Sequence, residues 1–245
     1  KELMKKNVVT ISIAEGIVGL YVEVEAFSKS EKSKVVIKDK HDNIVIVQKN
    51  DRAIFEKSET SQNQVSLIQS MQEMHIKDFV EFVDQVDIKD LNLVEKGIEM
   101  NKKIAEAGMT SKYGRALSRG VSIQDMDYKD YAKYLTSVAS FARMSGYPLP
   151  VMSCAGSGNH GLTATLPVVA VAEKMNIDRE KLIRGVTLSL LVTIYVKSYT
   201  GTLSPVCGCG VAAGVGASAG ITYILGGNIQ QIEGAELSSH KESLD

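Results

Sequence analysis

The pattern of apolar and polar positions changes once along the chain, across the polar segment 56–63. Before this segment, apolar and polar residues alternate in short bursts at 9–13, 20–24, 35–37 and 43–47. A period of two is typical of half-buried strands. We therefore predict a small antiparallel sheet in residues 1–57, with a first hairpin in 7–27, a second about the turn residues 39–42, and a short strand at 52–55.

Beyond the polar segment, which we interpret as a linker, the period becomes helical. Apolar residues recur three and four positions apart in the segments 76–86, 91–107, 130–145, 162–175 and 179–199. This spacing predicts amphipathic or buried helices, and Asp178 is expected to cap the last of them. The predicted fold class is α+β, in which a small amino-terminal antiparallel sheet precedes a mainly helical domain at 64–235 and a polar tail at 236–245.

Composition and charge narrow the class of partner. The 245 residues include 44% apolar side chains and carry a formal net charge of −1. Such a chain can bury a core, and its charge gives no electrostatic reason to bind nucleic acid or an anionic membrane surface. Residues 198–232 hold no charged side chain, and a run of that length can cross a bilayer. Because glycine and proline interrupt the run and large aliphatic residues are few, we expect no membrane partner. The net charge near zero likewise predicts no nucleic-acid partner.

The cysteine pattern bears on the compartment. Three cysteines do not make a disulfide framework, since their number is odd and Cys207 and Cys209 are separated by a single residue. The amino terminus as given shows no secretory signal. These features predict a reducing, cytoplasmic compartment.

Residues 153–161 concentrate polar chemistry immediately before a predicted buried helix. The segment reads Ser-Cys-Ala-Gly-Ser-Gly-Asn-His-Gly. Backbone N–H groups at a helix amino terminus favour an anion such as a substrate carboxylate, so the predicted substrate-binding residues are Ser153, Gly156, Ser157 and Gly158. His160 is the catalytic candidate of this loop, either as a general acid or base or by orienting a substrate carboxylate. The alternative is a structural helix entry capped by Asn159.

Residues 204–220 form a second glycine-rich segment, SPVCGCGVAAGVGASAG. Small residues of this kind suit a helix whose backbone comes close to another backbone. The candidate metal ligands are Cys207 and Cys209 of this segment together with Cys154, because thiolates are soft ligands suited to zinc or an iron–sulfur cluster. The alternative is that these are buried thiols that behave as small apolar side chains.

Several polar or basic residues outside the two loops are further candidates for carboxylate binding. Ser204 and Lys197 lie near the second glycine-rich segment. A lysine at a helix end also complements the helix dipole, so a structural role for Lys197 stays open. The segment 108–120 offers Lys112, Arg115 and Arg119, with a plain surface connection as the alternative.

Two motifs carry a resemblance to a known family. The segments 154–167 (CAGSGNHGLTATLP) and 204–220 together resemble the L-cysteine desulfidase proteins, which belong with the alpha chain of iron–sulfur L-serine dehydratase. The resemblance implies β-elimination from a small amino acid: L-cysteine to pyruvate, ammonia and sulfide, or L-serine to pyruvate and ammonia. It implies no pyridoxal phosphate, because a four-iron four-sulfur cluster acts as the Lewis acid in that family.

The resemblance also implies roles for individual positions. The loop 153–161 matches the family's substrate-binding loop, in which Asn159 and His160 would meet the amino acid, so these two are the predicted catalytic residues. The loop 204–210 matches the segment that supplies one cluster cysteine, for which Cys209 is the first choice and Cys207 the second. The family carries a further pair of cluster cysteines downstream, in a segment resembling Met-Val-Cys-Asp-Gly-Ala-Lys followed by another Cys. Here the chain passes from Ala235 to the polar tail without such a segment. We therefore expect a fragment, or a form that lacks its cluster.

Two hypotheses from other classes stay open. One is a domain that binds a small amino acid or a partner subunit without chemistry, and the other is a zinc-thiolate protein that uses all three cysteines. Small-residue helix faces also predict a homo-oligomer. The enzyme hypothesis makes one geometric demand, which is that the two glycine-rich segments meet in space around a shared amino-acid pocket, with Cys209 near His160.

Overall fold

A computed structural model describes residues 8–17, 19–39, 43–57, 67–118, 120–201 and 206–241 of the chain. The chain divides into two compact units, Lys1–Asn63 and Gln64–Asp245. The first contains a four-stranded antiparallel sheet and the second is helical throughout its regular structure. The α+β fold class predicted from the periodicity is therefore confirmed.

The sheet has its strands in chain order, β1-β2-β3-β4. They are β1 (Tyr21–Phe27), β2 (Lys32–Lys38), β3 (Ile44–Lys49) and β4 (Arg52–Glu56). Apolar side chains face each other across neighbouring strands, as in the pairs Val22 with Ile37 and Val24 with Val35. Such cross-strand pairs stabilise a sheet by roughly 0.2–1 kcal/mol each.

The predicted strand at 9–13 is wrong. Residues 8–14 form no regular structure, and the side chains of Ile11 and Ile13 are 82% and 92% exposed. The segment predicted as its hairpin partner pairs with β2 instead. An alternating pattern identifies a segment that can form a strand, but it does not determine which neighbour will satisfy its backbone hydrogen bonds.

The helical unit contains nine α-helices in its described part. They are α1 (Leu67–Gln72), α2 (Ile76–Gln85), α3 (Asn92–Thr110), α4 (Lys112–Leu117), α5 (Tyr128–Met144), α6 (Gly158–Met175), α7 (Arg179–Thr200), α8 (Val215–Ile224) and α9 (Ile229–Lys241). A 3₁₀ turn, Ile88–Leu91, precedes α3, and a π-helical segment, Cys209–Gly214, leads into α8. The predicted cap of α7 is confirmed, since the carboxylate of Asp178 accepts from the Lys181 N–H at 2.9 Å.

Helix α6 is the centre of this unit. Twelve of its side chains or glycines are buried, and it packs against α3, α5, α7 and α8. A helix that is apolar on all sides is a core helix, so the surrounding helices are organised about it. Its amino terminus is therefore held in a fixed position relative to four other helices.

Helices α7 and α8 cross at close range. A Cβ atom at Gly216 would overlap the Ser189 carbonyl and the Thr193 hydroxyl, and one at Gly220 would lie 2.5 Å from the Gly185 carbonyl. The prediction that this small-residue helix brings two backbones together is confirmed. Both glycines take part in a helix contact inside the helical unit, so they do not by themselves support the predicted homo-oligomer.

Several boundaries differ from the expected ones. Helix α6 begins at Gly158, four residues earlier than expected, because Ser157 rather than Asn159 provides the cap. Helix α9 continues to Lys241, into the residues that we assigned to a polar tail. The segment 108–120 contains α4, in which Arg115 donates to the Thr110 carbonyl at 2.6 Å. Arg119 lies outside the described residues.

Within the described part of the chain, one helix is long and apolar enough to span a bilayer. This helix is α7, and 56% of its most apolar 18-residue window is buried in the structure. A core helix of a soluble protein passes the same test of length and composition, so the finding is weak evidence for a span. The cytoplasmic location stays a prediction.

Candidate functional site

A tight turn sets the start of α6. Cys154 and Ser157 exchange two backbone hydrogen bonds of 3.1 Å, with Ala155 and Gly156 between them at φ angles of 47° and 79°. Left-handed backbone is natural for glycine and costs an alanine roughly 1 kcal/mol. The turn places the Ser157 hydroxyl 3.4 Å from the His160 N–H, where it caps the helix.

A buried amide fixes this turn against α3. Asn101 is fully buried, and its Oδ1 accepts from the Met152 N–H at 2.9 Å. Its Nδ2 lies 3.3 Å from the Gly161 carbonyl and 3.4 Å from the Thr165 hydroxyl. A buried polar group with several partners specifies one arrangement, so Asn101 holds the loop to the helix that follows it. Sequence reasoning missed it, although an asparagine among the apolar positions of 91–107 is the kind of signal that could have found it.

The two glycine-rich segments meet at His160. Its side chain is only 8% exposed. A Cβ atom at Gly208 would overlap Nε2 of the His160 ring. The imidazole therefore lies directly against the backbone between Cys207 and Cys209. The two segments meet as predicted, whereas the shared pocket stays a prediction.

The surroundings of His160 favour its neutral form. Burial lowers the pKa of the imidazole, the positive charge of Lys197 lowers it further, and the backbone carbonyl of Cys154 partly opposes both. The Nδ1 atom is buried and forms no hydrogen bond of good geometry with the described residues. A buried imidazole nitrogen without a firm partner is available to a proton or to a polar ligand.

Cys207 and Cys209 occupy the start of the π-helical segment. The exposed Cys207 sulfur accepts from the backbone N–H groups of Cys209 and Gly210, and these bonds lower the pKa of its thiol. Cys209 is half-buried; burial and the neighbouring Cys207 raise the pKa of its thiol, while the Thr163 hydroxyl and the charge of Arg143 oppose that rise. Each of the two thiols affects the pKa of the other.

Cys154 has a different environment from the other two cysteines. Its side chain is 4% exposed, its thiol is 3.9 Å from the Leu190 carbonyl, and burial raises the pKa of the thiol to about 12. All three cysteines of the chain lie in its described part. In that part, no group of three or more His, Cys, Asp or Glu residues could hold a metal ion. The hypothesis of a zinc site built on all three cysteines is therefore not supported.

Arg143 is a site residue that sequence reasoning missed. It stands in the last turn of α5, and a Cβ atom at Gly158 would overlap its guanidinium group. Its Nη1 atom donates to Oδ1 of Asn159 at 3.2 Å. An arginine in the last turn of a helix has an ordinary explanation, since it complements the dipole of its own helix. Only the packing of α5 on α6 reveals that it covers the start of a second helix.

The remaining predicted residues are placed as follows. Lys197 is buried on α7, near enough for its charge to act on His160. Ser153 and Gly156 are exposed on the turn, Ser157 is used as the cap, and Gly158 is buried beneath Arg143. Ser204 lies outside the described residues.

Two surface cavities lie elsewhere in the helical unit. One, of about 640 Å³, is lined by residues of α2, α7, α8 and α9, including Asp84 and Tyr223. The other, of about 480 Å³, lies between α4 and α5 and includes Asp125 and Asp130. None of the residues that line these two cavities belongs to the predicted site.

Comparison with known proteins gives a consistent family result. The model for the serine dehydratase alpha chain matches residues 43–243. A UPF0597 protein of Clostridium tetani is 52% identical over 235 residues, covering 96% of this chain and 56% of the relative. A UPF0597 protein of Caldanaerobacter subterraneus is 46% identical with the same coverage, and one of Clostridioides difficile is 38% identical over 96% of this chain and 57% of the relative.

No solved structure matches the chain. The chain spans slightly more than half the length of the curated relatives that it matches.

Proposed function

The chain belongs to the serine dehydratase alpha chain family, and from this premise we propose that it serves β-elimination on a small amino acid. The reaction is L-serine to pyruvate and ammonia, or L-cysteine to pyruvate, ammonia and sulfide. The observation that carries the proposal is the convergence of Arg143, Lys197 and the amino terminus of α6 about a buried histidine.

The carboxylate of the amino acid is the group that this convergence would bind. The amino terminus of a helix carries roughly half a positive charge, and Arg143 places a full positive charge against its first residue. Among the described residues, the Arg143 guanidinium donates to Asn159 and Met144 and forms no ion pair with a carboxylate within 4.0 Å. Two like charges held together without a counterion favour an anion between them.

His160 would move the proton. Its lowered pKa leaves the imidazole neutral at pH 7, so it can accept a proton from substrate and return it to a leaving group. Its contact with Gly208 keeps the ring at the junction of the two loops. Asn159 would hold Arg143 in place through its side-chain amide oxygen.

The iron–sulfur cluster that the family resemblance implies does not fit the cysteines of this chain alone. Cys207 and Cys209 lie at the site, whereas the thiol of Cys154 is buried against Leu190. Two thiolates do not complete the four-cysteine ligation that is usual for such a cluster. We therefore assign no step of the reaction to a cluster, and the activity of the longer relatives is not transferred to this chain.

A second candidate function rests on Arg143 at the start of α6, which would bind a carboxylate whether or not chemistry follows. A domain with a carboxylate subsite and an incomplete set of cluster ligands would bind a small amino acid without converting it. The two functions share the binding step and differ in the formation of pyruvate. Binding is therefore the property to test first.

The experiment measures the affinity of the 245-residue chain for L-serine and L-cysteine by isothermal titration calorimetry. We expect Arg143→Gln to weaken binding at least ~10-fold, because a charge-assisted hydrogen bond is worth about 1.5–3 kcal/mol. L-serinamide, which lacks the carboxylate, should bind as weakly to the unchanged protein. Arg115→Gln is the matched control, since Arg115 is exposed and bonds to a backbone carbonyl in α4.

Equal affinity of the Arg143→Gln variant and the unchanged protein would contradict the carboxylate subsite. Equal affinity for L-serine and L-serinamide would contradict it too. Pyruvate formation, followed in the same samples, separates the lyase from the binding domain.

A further inference from the structure

We propose that strand β4 is an interface between two copies of this chain. In this interface β4 of one copy pairs antiparallel with β4 of the second copy, about a two-fold axis at Ile54. The surface lies in the sheet unit, so it is separate from the residues that the β-elimination proposal uses and does not depend on that function.

Strand β4 forms one of the two edges of the described sheet. It pairs with β3, and β1 forms the opposite edge by pairing with β2. All five residues of β4 are exposed, and the side chains of Ile54 and Phe55 are 66% and 46% exposed. An exposed edge strand presents unpaired backbone N–H and C=O groups to other chains. Strand β4 therefore offers both the backbone groups and the apolar side chains that a further strand would use.

The charges of the sheet are paired except at the two ends of β4. Ion pairs join Glu23 to Lys34 at 2.8 Å, Glu25 to Lys32 at 3.2 Å and Glu31 to Lys49 at 2.7 Å. Among the described residues, neither Arg52 nor Glu56 forms an ion pair within 4.0 Å. Arg52 lies opposite Lys49 of β3, and like charges directly opposite each other destabilise a sheet. A carboxylate beyond the edge would give Arg52 the partner that its own sheet does not provide.

Strand β4 is complementary to itself when two copies run antiparallel. With Ile54 opposite Ile54 of the second copy, the order Arg-Ala-Ile-Phe-Glu places Arg52 opposite Glu56 and Ala53 opposite Phe55. Opposite charges and apolar side chains in directly opposed positions both stabilise antiparallel pairing. The two-fold axis repeats each contact, so the interface contains two pairs of Arg52 with Glu56.

The other edge of the sheet lacks this property. An antiparallel pair of β1 strands centred on Val24 would bring Glu23 opposite Glu25, and these like charges would repel each other. A contact in which both copies use the same surface closes on itself. We therefore expect assembly through β4 to stop at the dimer, with β1 at both outer edges of the joined sheet.

Two features of β4 limit the strength of the pairing. The strand has five residues, and its pairing with β3 contains a register shift between Val47 and Gln48. A bulge of this kind increases the twist of an edge strand and restrains its pairing with other chains. We therefore expect a dimer that dissociates on dilution.

The first experiment is sedimentation velocity of the 245-residue chain over a series of concentrations, which should show a monomer–dimer equilibrium. Arg52→Glu places a carboxylate opposite Glu56, and Glu56→Arg places a guanidinium opposite Arg52. Each should weaken the dimer about 10-fold, because both symmetry-related contacts change from attraction to repulsion. The double variant Arg52→Glu/Glu56→Arg should return the dissociation constant to within about 3-fold of that of the unchanged chain.

Lys29→Glu is the matched control. It makes the same change of charge as Arg52→Glu, in the exposed turn between β1 and β2, and should leave the dissociation constant unchanged. Circular dichroism establishes that each variant is folded. Hydrogen–deuterium exchange then identifies the edge, since the backbone amides of 52–56 should exchange more slowly at concentrations that favour the dimer, whereas those of 21–27 should not.

Four results would overturn the β4 interface. The first is an unchanged chain that stays monomeric throughout the concentration series. The second is a folded double variant in which the dimer is not restored, because the contact would then not join Arg52 to Glu56. The third is concentration-dependent protection of 21–27 in place of 52–56. The fourth is protection of 52–56 that does not depend on concentration, because a segment of the same chain would then cover the edge.

Discussion

At the scale of single residues, the site is defined by charges and contacts that come from different helices. Arg143 belongs to α5, Lys197 to α7 and His160 to α6. Arg143 lies against the amino terminus of α6, where a positive charge is unfavourable, and the proposed carboxylate subsite rests on this contact. Structural charges are normally placed to complement a helix end, so an exception at a site rich in polar groups points to function.

Replacement of His160 is the test of proton transfer. In a preparation that turns over serine, His160→Ala should lower the turnover about 10²–10⁴-fold, the usual contribution of general acid or base catalysis. His75→Ala is the control, since that side chain is 74% exposed at the start of α2. Unchanged turnover in His160→Ala would remove the residue from this role.

The pH dependence follows from the same residue. Because the pKa of His160 is lowered, its neutral form predominates at pH 7. The rate should therefore fall only as the pH drops through that lowered pKa, which lies below the ordinary value of about 6.5. A rate that falls above pH 6.5 as the solution is acidified would contradict the assignment.

The residues of the site differ in how far they could be predicted. Asn159, His160, Cys207 and Cys209 were found because their polar or thiol groups stand among glycines next to apolar helices. Arg143 was missed because the last turn of an amphipathic helix explains it locally, whereas Asn101 left one local signal, an amide among the apolar positions of its helix. Their relevance comes from contacts 16 and 51 residues away in the chain, and no local pattern encodes such contacts.

At the scale of elements, helical periodicity was a better guide than strand alternation. Helices α2, α3, α5 and α7 were predicted with boundaries close to those observed, because their apolar positions repeat over several turns. The predicted start of α6 lies four residues after the observed one, because the capping Ser157 and the first helical residue, Gly158, have the composition of a loop. The strand at 9–13 failed since strand formation depends on a partner that the pattern does not name.

The crossing of α7 and α8 allows a test at this scale. Gly216→Ala should destabilise the protein by about 1–3 kcal/mol, because its Cβ would overlap the Ser189 carbonyl and force the helices apart. Gly234→Ala on α9 is the control, where no atom lies within 4 Å of the added Cβ. There the better helix propensity of alanine should stabilise by about 0.5–1 kcal/mol.

Urea denaturation followed by circular dichroism measures both variants. If Gly216→Ala has the same unfolding midpoint as the unchanged protein, the two backbones are not in the close contact described for α7 and α8.

At the scale of the whole molecule, the apolar core belongs to the helical unit. Both clusters of buried apolar side chains consist of residues between Met71 and Ile232. In the described part of the sheet unit only Val36 is a buried apolar residue, and Val24 and Phe55 are 58% and 46% exposed. A four-stranded sheet with so little burial has few means of stabilising itself alone.

We therefore predict that residues 64–245 fold independently and that residues 1–63 do not. The isolated helical unit should show a cooperative thermal transition and a helical circular dichroism spectrum. The isolated residues 1–63 should give no cooperative transition and little dispersion of backbone amide signals in nuclear magnetic resonance spectra. A cooperative transition in residues 1–63 alone would contradict this division of stability.

The contact between Gly208 and the His160 ring has a consequence for the tolerance of the sequence to change. Saturation mutagenesis at position 208, followed by selection for L-serine binding, should recover glycine alone, because even a methyl group there would overlap the imidazole. Position 208 thus tolerates no side chain larger than a hydrogen atom, a constraint as strict as that on any charged residue around it. A designer who wished to move the thiol loop relative to the histidine would have to rebuild the backbone, since no substitution at this position could do so.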